Sequence, residues 1–175
     1  MMRSVFLIGF MGSGKSTIGR MLAEPLGLPY IDLDQYLEQQ QGQSVPALFE
    51  RLGEAAFRAL EREALHTLAA GPPAVVATGG GAPCHFDNMA FMKSVGKTLY
   101  LKASPEELAL RLKPELGNRP LLEGQTKQSL PGFIADMLAK RASFYDQADI
   151  VVLTDGQTKQ DVVRRCLLFL KGSRT

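Results

Sequence analysis

The sequence predicts an α/β fold: a five-stranded parallel sheet between two layers of helices, three layers in all. Three observations carry this. Apolar runs of strand length alternate with helical patterns along the whole chain. A glycine-rich turn joins the first apolar run directly to the first helical pattern. No internal repeat, low-complexity tract or linker interrupts the series. Strands separated by helices pair in parallel and need both faces covered. Ligands in such sheets gather at the carboxyl ends of the strands.

The elements follow in order. Residues 5–8, Val-Phe-Leu-Ile, are wholly apolar, as a buried strand requires. Residues 15–26 place Ile18, Met21, Leu22 and Leu26 on one helical face. Further strands are expected at 30–33, 75–78, 98–101 and 150–153. Helical patterns occupy 35–41, 46–50, 54–70, 105–113, 130–145 and 158–171. The 105–113 helix has a clear start: Ser104 as N-cap, Pro105 at the first helical position and Glu107 completing a capping box. Residues 113–127 hold two Pro, two Gly and no period, and read as a mobile loop between two helices.

Composition limits the functional classes. At 175 residues the chain fits a single domain spanning 1–175. A formal charge of +2 is too small to argue for nucleic acid or a membrane surface. No apolar stretch nears the roughly 20 residues of a membrane span. The first apolar run is too short for a secretion signal, so a cytoplasmic location is expected. Cys84 and Cys166 suggest no disulfide framework, and Cys166 falls on the apolar face of a helical pattern. Cys84-His85 has no second Cys/His pair to complete a zinc site. His66, among helix formers, is expected at the surface.

The chemistry-bearing residues cluster at predicted strand ends. Gly9-Phe-Met-Gly12-Ser13-Gly14-Lys15-Ser16-Thr17 fits the P-loop pattern G-x-x-x-x-G-K-[ST] at every fixed position, in the strand–loop–helix setting that motif needs. Its backbone N–H groups can surround phosphate oxygens, Lys15 can reach the β- and γ-phosphates, and the Ser16 hydroxyl can sit on Mg²⁺. A bound nucleoside triphosphate, ATP, is implied. After the second strand, alternation in Asp32-Leu33-Asp34 points both carboxylates one way. One can serve Mg²⁺ and the other an acceptor hydroxyl, or Asp34 can cap the next helix. After the third strand, Gly79-Gly80-Gly81 permits unusual φ angles and close approach to a ligand, or forms a tight turn.

Three arginines stand out. Arg58 has Glu54 and Glu61 within one turn, the spacing of a surface ion-pair ladder. Arg141 follows the stripe of Ile134, Met137, Leu138 and Tyr145, where an apolar residue is expected. A buried guanidinium needs either an internal acid or an anionic ligand, and spacing does not choose between them. Arg119 lies in the 113–127 loop, which in a phosphoryl-transfer enzyme would serve as a lid.

Six motifs in order resemble the shikimate kinase family over nearly the whole chain. They are Gly9–Thr17, Asp32-Leu33-Asp34, Gly53-Glu54-x-x-Phe57-Arg58-x-x-Glu61, Gly79-Gly80-Gly81, Arg119-Pro120-Leu121-Leu122 and Lys140-Arg141-x-x-x-Tyr145. The resemblance implies a P-loop NTPase fold like that of nucleoside monophosphate kinases, with a substrate-binding helical region at 33–62 and a lid at about 113–127. It implies transfer of the ATP γ-phosphoryl group to the 3-hydroxyl of shikimate, in aromatic amino-acid biosynthesis. By position, Gly12, Ser13, Gly14, Lys15, Ser16 and Thr17 would hold ATP, with Gln157 near adenine. Ser16 would ligate Mg²⁺, with Asp32 acting through water. Asp34 would orient or deprotonate the acceptor hydroxyl, and Arg119 would reach the phosphates from the lid. Arg58 and Arg141 would clasp the shikimate carboxylate against Gly79, Gly80 and Gly81. ATP and shikimate are then the expected partners of a monomer. The alternatives are another small-molecule kinase, such as one for gluconate, and a non-catalytic nucleotide-binding module. A GTPase switch is disfavoured because a guanine-reading Asn-Lys-x-Asp is absent.

Overall fold

The computed structural model describes residues 3–172. The ends of the expected 1–175 domain, residues 1–2 and 173–175, lie outside the described residues. One sheet holds β1 (Ser4–Ile8), β2 (Tyr30–Asp32), β3 (Val75–Ala77), β4 (Gly96–Lys102) and β5 (Ile150–Leu153). The strand order is β2-β3-β1-β4-β5, and every neighbouring pair is parallel. The helices are α1 (Lys15–Leu26), α2 (Leu33–Gln41), α3 (Val45–Ala70), α4 (Asn88–Val95), α5 (Pro105–Leu112), α6 (Leu130–Tyr145) and α7 (Lys159–Gly172).

The alternation of strand side chains sorts them into two cores. Val5, Leu7, Leu99, Leu101 and Val152 meet Ile18 and Leu22 of α1 and Val162 and Cys166 of α7. Phe6, Ile8, Val76 and Tyr100 meet Leu33, Leu48, Phe57, Leu65, Met92 and Tyr145 on the opposite face. These two cores make the predicted three layers. A third cluster, including Phe10, Leu108, Leu112, Leu122 and Ile134, packs α5 against α6 and the loop between them.

Several boundaries differ from expectation. β2 ends at Asp32, and Leu33 already belongs to α2. α4 was not expected: its apolar residues cover barely two turns, too few for a period to stand out. α3 runs through the expected gap between 46–50 and 54–70, but it breaks there at Gly53, with φ 76 and ψ 169. That backbone conformation strains residues with a side chain and suits glycine. The 113–127 loop contains two single 3₁₀ turns, Lys113–Glu115 and Pro120–Leu122, and Leu122 is 1% exposed. The loop is therefore seated in the third cluster by Leu122, with the partly buried Leu116 packed against the same cluster.

Candidate active site

The strand order brings the three loops of interest to one edge of the sheet. β1 is central, β3 lies beside it and β2 beyond β3, so the loops after them are neighbours. Together they line a cleft of about 350 Å³ that includes Gly12, Lys15, Ser16, Thr17, Asp32, Asp34, Thr78, Gly79, Gly80, Arg111 and Arg119.

The loop after β1 turns through Gly12 (φ 77) and Gly14 (φ 96), values that suit only glycine. Gly14 stands at the N-cap of α1 and offers no side chain to cap it. The first-turn N–H groups of α1 thus point out of the helix toward the cleft, a ready anion site. Lys15 Nζ donates to the carbonyls of Gly9 at 2.8 Å and Phe10 at 2.9 Å. Burial lowers its pKa to about 8; Asp34 and Asp32 oppose the fall, while Arg141 and Arg119 add to it. Ser13, 2% exposed, packs inside the loop, where its Oγ has no hydrogen-bond partner.

Asp32 and Asp34 both reach the cleft, but not through strand alternation. Asp32 is the N-cap of α2: its Oδ1 accepts from the backbone N–H of Asp34 at 3.1 Å and of Gln35 at 3.3 Å. The cap expected at Asp34 is therefore Asp32, and Asp34 is left unengaged by capping in the first helical turn. The other oxygen of Asp32, Oδ2, accepts from Ser16 Oγ at 3.2 Å. Burial and the neighbouring Asp32 raise the pKa of Asp34, with Lys15 opposing. A carboxylate held that way is a stronger proton acceptor than a free one.

Gly79, Gly80 and Gly81 have no left-handed φ, contrary to the expectation of unusual angles. What they supply is room. A Cβ at Gly79 would lie 2.9 Å from Glu61 Oε1 and 3.1 Å from Asp34 Oδ1. One at Gly80 would lie 3.1 Å from Arg141 Nη1, and one at Gly81 2.5 Å from Arg58 Nη2. The glycine run thus gathers two arginines and two acids around itself.

Arg58 is not on a surface ladder. Its Nη1 bonds Glu61 Oε2 at 2.9 Å, and Glu61 is 1% exposed. Burial raises the Glu61 pKa to about 6, against the pull of Arg58. Glu54 lies farther away, at 3.7 Å from Arg58 Nε. Arg141 forms no ion pair among the described residues: it donates to Tyr145 Oη at 3.3 Å and lies over the Phe10 ring, 5.3 Å from its centre. Of the two alternatives for this guanidinium, the internal acid is thus missing.

Arg119 lines the cleft from the 113–127 loop and pairs with Glu115 at 3.0 Å. Gln157 lies elsewhere: it borders a separate cavity beside Lys102, Ser104 and Asp155, and its N–H bonds the Thr154 carbonyl. Sequence reasoning missed Arg111. It approaches the Gly12 carbonyl at 3.4 Å and Thr154 at 3.3 Å, joining the P-loop to the loop after β5. It pairs with Glu107, one turn before it, at 2.9 Å, and no motif marks it in the sequence. His66 is likewise not a free surface residue: it stacks on Phe91 with ring centres 3.7 Å apart.

A family model described as shikimate kinase matches residues 11–171. The chain belongs to the shikimate kinase family. It is 49% identical to a shikimate kinase of Parabacteroides distasonis over 149 residues, 85% of this chain and 86% of the relative. The crystal structure of shikimate kinase from Bacteroides thetaiotaomicron matches with a TM-score of 0.91 at 42% identity, covering 98% of this chain and 99% of that one. Shikimate kinase from Acinetobacter baumannii in complex with shikimate matches with a TM-score of 0.89 at 33% identity, covering 100% and 97%. A gluconokinase from Sinorhizobium meliloti, at 19% identity and a TM-score of 0.60, shares the fold alone with this shikimate kinase family member.

Proposed function

We propose that this chain transfers the γ-phosphoryl group of ATP to the 3-hydroxyl of shikimate, giving ADP and shikimate 3-phosphate. The observation that carries the reading is Asp34, set between a P-loop lysine and a glycine run flanked by Arg58 and Arg141. That arrangement suits one anionic triphosphate and one hydroxylated carboxylate.

Each residue then has a physical role. The P-loop amides, the α1 N-terminus and Lys15 hold the β- and γ-phosphates. The adenine end lies beyond Gly12, where Arg111 meets Thr154, with Gln157 farther along the same loop. Ser16 Oγ and Asp32 Oδ2, 3.2 Å apart, are a pair of hard oxygen donors that fits Mg²⁺. Bound there, the ion would neutralise phosphate charge. Arg58 and Arg141 clasp the shikimate carboxylate with planar forks, and Gly79–Gly81 let it approach the backbone. Asp34 accepts the hydrogen bond of the 3-hydroxyl, aligns it for in-line attack and receives its proton. Arg119 meets charge developing on the transferred group as the lid closes and excludes water. ATP and shikimate are the proposed partners of a cytoplasmic monomer. No helix among the described residues is long and apolar enough to cross a membrane.

The test is ADP release from ATP–Mg²⁺ with shikimate, gluconate, a nucleoside monophosphate or no acceptor. Turnover with shikimate alone is the expected result. Turnover with gluconate or a nucleotide would overturn the acceptor assignment, and ATP binding without turnover would favour a binding module.

A further inference from the structure

Tyr145 closes the Lys140-Arg141-x-x-x-Tyr145 stretch and has no role in the scheme above. It sits in the last turn of α6 with no solvent exposure. Its ring packs on Tyr100, centres 5.0 Å apart. Arg141 lies one turn earlier on the same helix, the spacing at which side chains meet.

The hydroxyl makes two bonds of opposite sense. It donates to the Gly80 carbonyl at 2.5 Å and accepts from Arg141 Nη1 at 3.3 Å. A phenol has one proton to give and lone pairs to receive, so the pattern is self-consistent. Burial pushes its pKa up to about 12, which keeps that proton in place across the working pH range. Phe10 offers Arg141 only a ring face, which attracts the cation without fixing the rotation of its fork.

We propose that Tyr145 is a positioning residue for the phosphoryl acceptor: its hydroxyl ties the Arg141 fork to the Gly80 backbone, so that arginine and glycine run meet the acceptor carboxylate as one cradle. The inference rests on the function proposed above. Tyr145 touches neither substrate and acts through Arg141 and Gly80.

The test is Tyr145→Phe, which keeps the ring against Tyr100 and deletes only the hydroxyl. The shikimate KM is expected to rise about tenfold, a loss on the order of 1.4 kcal/mol. The ATP KM and kcat should stay within twofold. In an Arg141→Lys background the same change should add less than threefold, because the fork it aims is gone. With the methyl ester of shikimate, which lacks the negative charge, variant and wild type should differ by less than twofold. An unchanged shikimate KM overturns the proposal. So does an equal rise for ATP, or a full tenfold penalty persisting with the ester or in the Lys background, as a merely structural role would give. Wild-type protein that fails to phosphorylate shikimate overturns the parent reading instead.

Discussion

Adding one methyl group at Gly81 is expected to damage shikimate binding while sparing ATP. A Cβ there would sit 2.5 Å from Arg58 Nη2 and 2.8 Å from Nη1 and Cζ. Ordinary contact begins near 3.4 Å, so the guanidinium must retreat by nearly 1 Å. It is not free to do so. Nη1 is held at 2.9 Å by Glu61, itself 1% exposed, and Phe49 and Phe57 flank the group at 5.7 and 5.4 Å. A shift of that size breaks the Glu61 bond or turns the fork away from its ligand. Hydrogen bonds to charged groups contribute about 1.5–3 kcal/mol. Losing one therefore predicts a shikimate KM raised roughly 10- to 100-fold. Gly81 has φ −87, which alanine adopts without strain, so the effect is steric rather than a backbone penalty. The assay is coupled ADP release by Gly81→Ala with each substrate varied in turn, beside a melting curve to confirm folding. A folded variant with a shikimate KM within twofold of wild type would refute the placement of the carboxylate at Arg58.

Further outcomes follow from the same geometry. Arg58→Ala and Arg141→Ala should each raise the shikimate KM by roughly 10- to 100-fold and the ATP KM far less; similar effects on both substrates would sink the carboxylate clamp. Asp34→Asn should lower kcat about 100-fold or more with near-normal ATP binding by calorimetry, whereas an unchanged kcat would make it a bystander. Lys15, with a pKa near 8 in the free protein, is about half deprotonated at pH 8; phosphates favour its charged form and raise that pKa. ATP binding should therefore take up about half a proton at pH 8 and almost none at pH 6, read as buffer-dependent binding enthalpy; no uptake at pH 8 would refute the shift. Leu122→Ala removes the 1%-exposed anchor of the 113–127 loop and should cost about 2–3 kcal/mol of stability. It should also raise ATP hydrolysis in the absence of acceptor, and unchanged hydrolysis would mean the lid does not depend on that anchor.

The legible parts of this protein are those where local chemistry and tertiary role agree. The P-loop, the parallel sheet and the break between 46–50 and 54–70 all rest on local signals: glycines, Gly53 among them, and apolar runs. Arg141 was legible as an anomaly, because it occupies an apolar stripe. The missed features are non-local. Asp32 accepts two amides of α2 because the chain turns into a helix at Leu33, two residues earlier than the helical pattern implies. No motif marks Arg111, and only the fold sets it against Gly12 and Thr154, about 100 and 43 residues away in sequence. His66 looks exposed until α4, itself too short to be read, brings Phe91 against it. The three consecutive glycines suggest both unusual φ angles and close approach to a ligand; the unusual angles are absent, and what the fold uses is their lack of a Cβ.

The missing Cβ atoms also govern how donor and acceptor come to meet. With the order β2-β3-β1-β4-β5, the loop after β3 is the direct neighbour of the P-loop. A Cβ at Gly80 would lie 3.4 Å from the Gly9 carbonyl, so the two loops touch backbone to backbone. Any side chain between them would push the proposed acceptor floor from the P-loop, and phosphoryl transfer tolerates little misplacement. β2, one strand farther out, then supplies Asp34 from the flank, where it faces both Lys15 and the glycine run. On the other side of β1, β4 and β5 leave the edge free for Arg111 and Thr154 to close over Gly12. A sheet with β3 moved one place outward would keep every motif in the sequence and still separate the acceptor from the phosphates by about 5 Å, one strand spacing. The motifs name the chemistry, but the strand order makes the two half-sites one site.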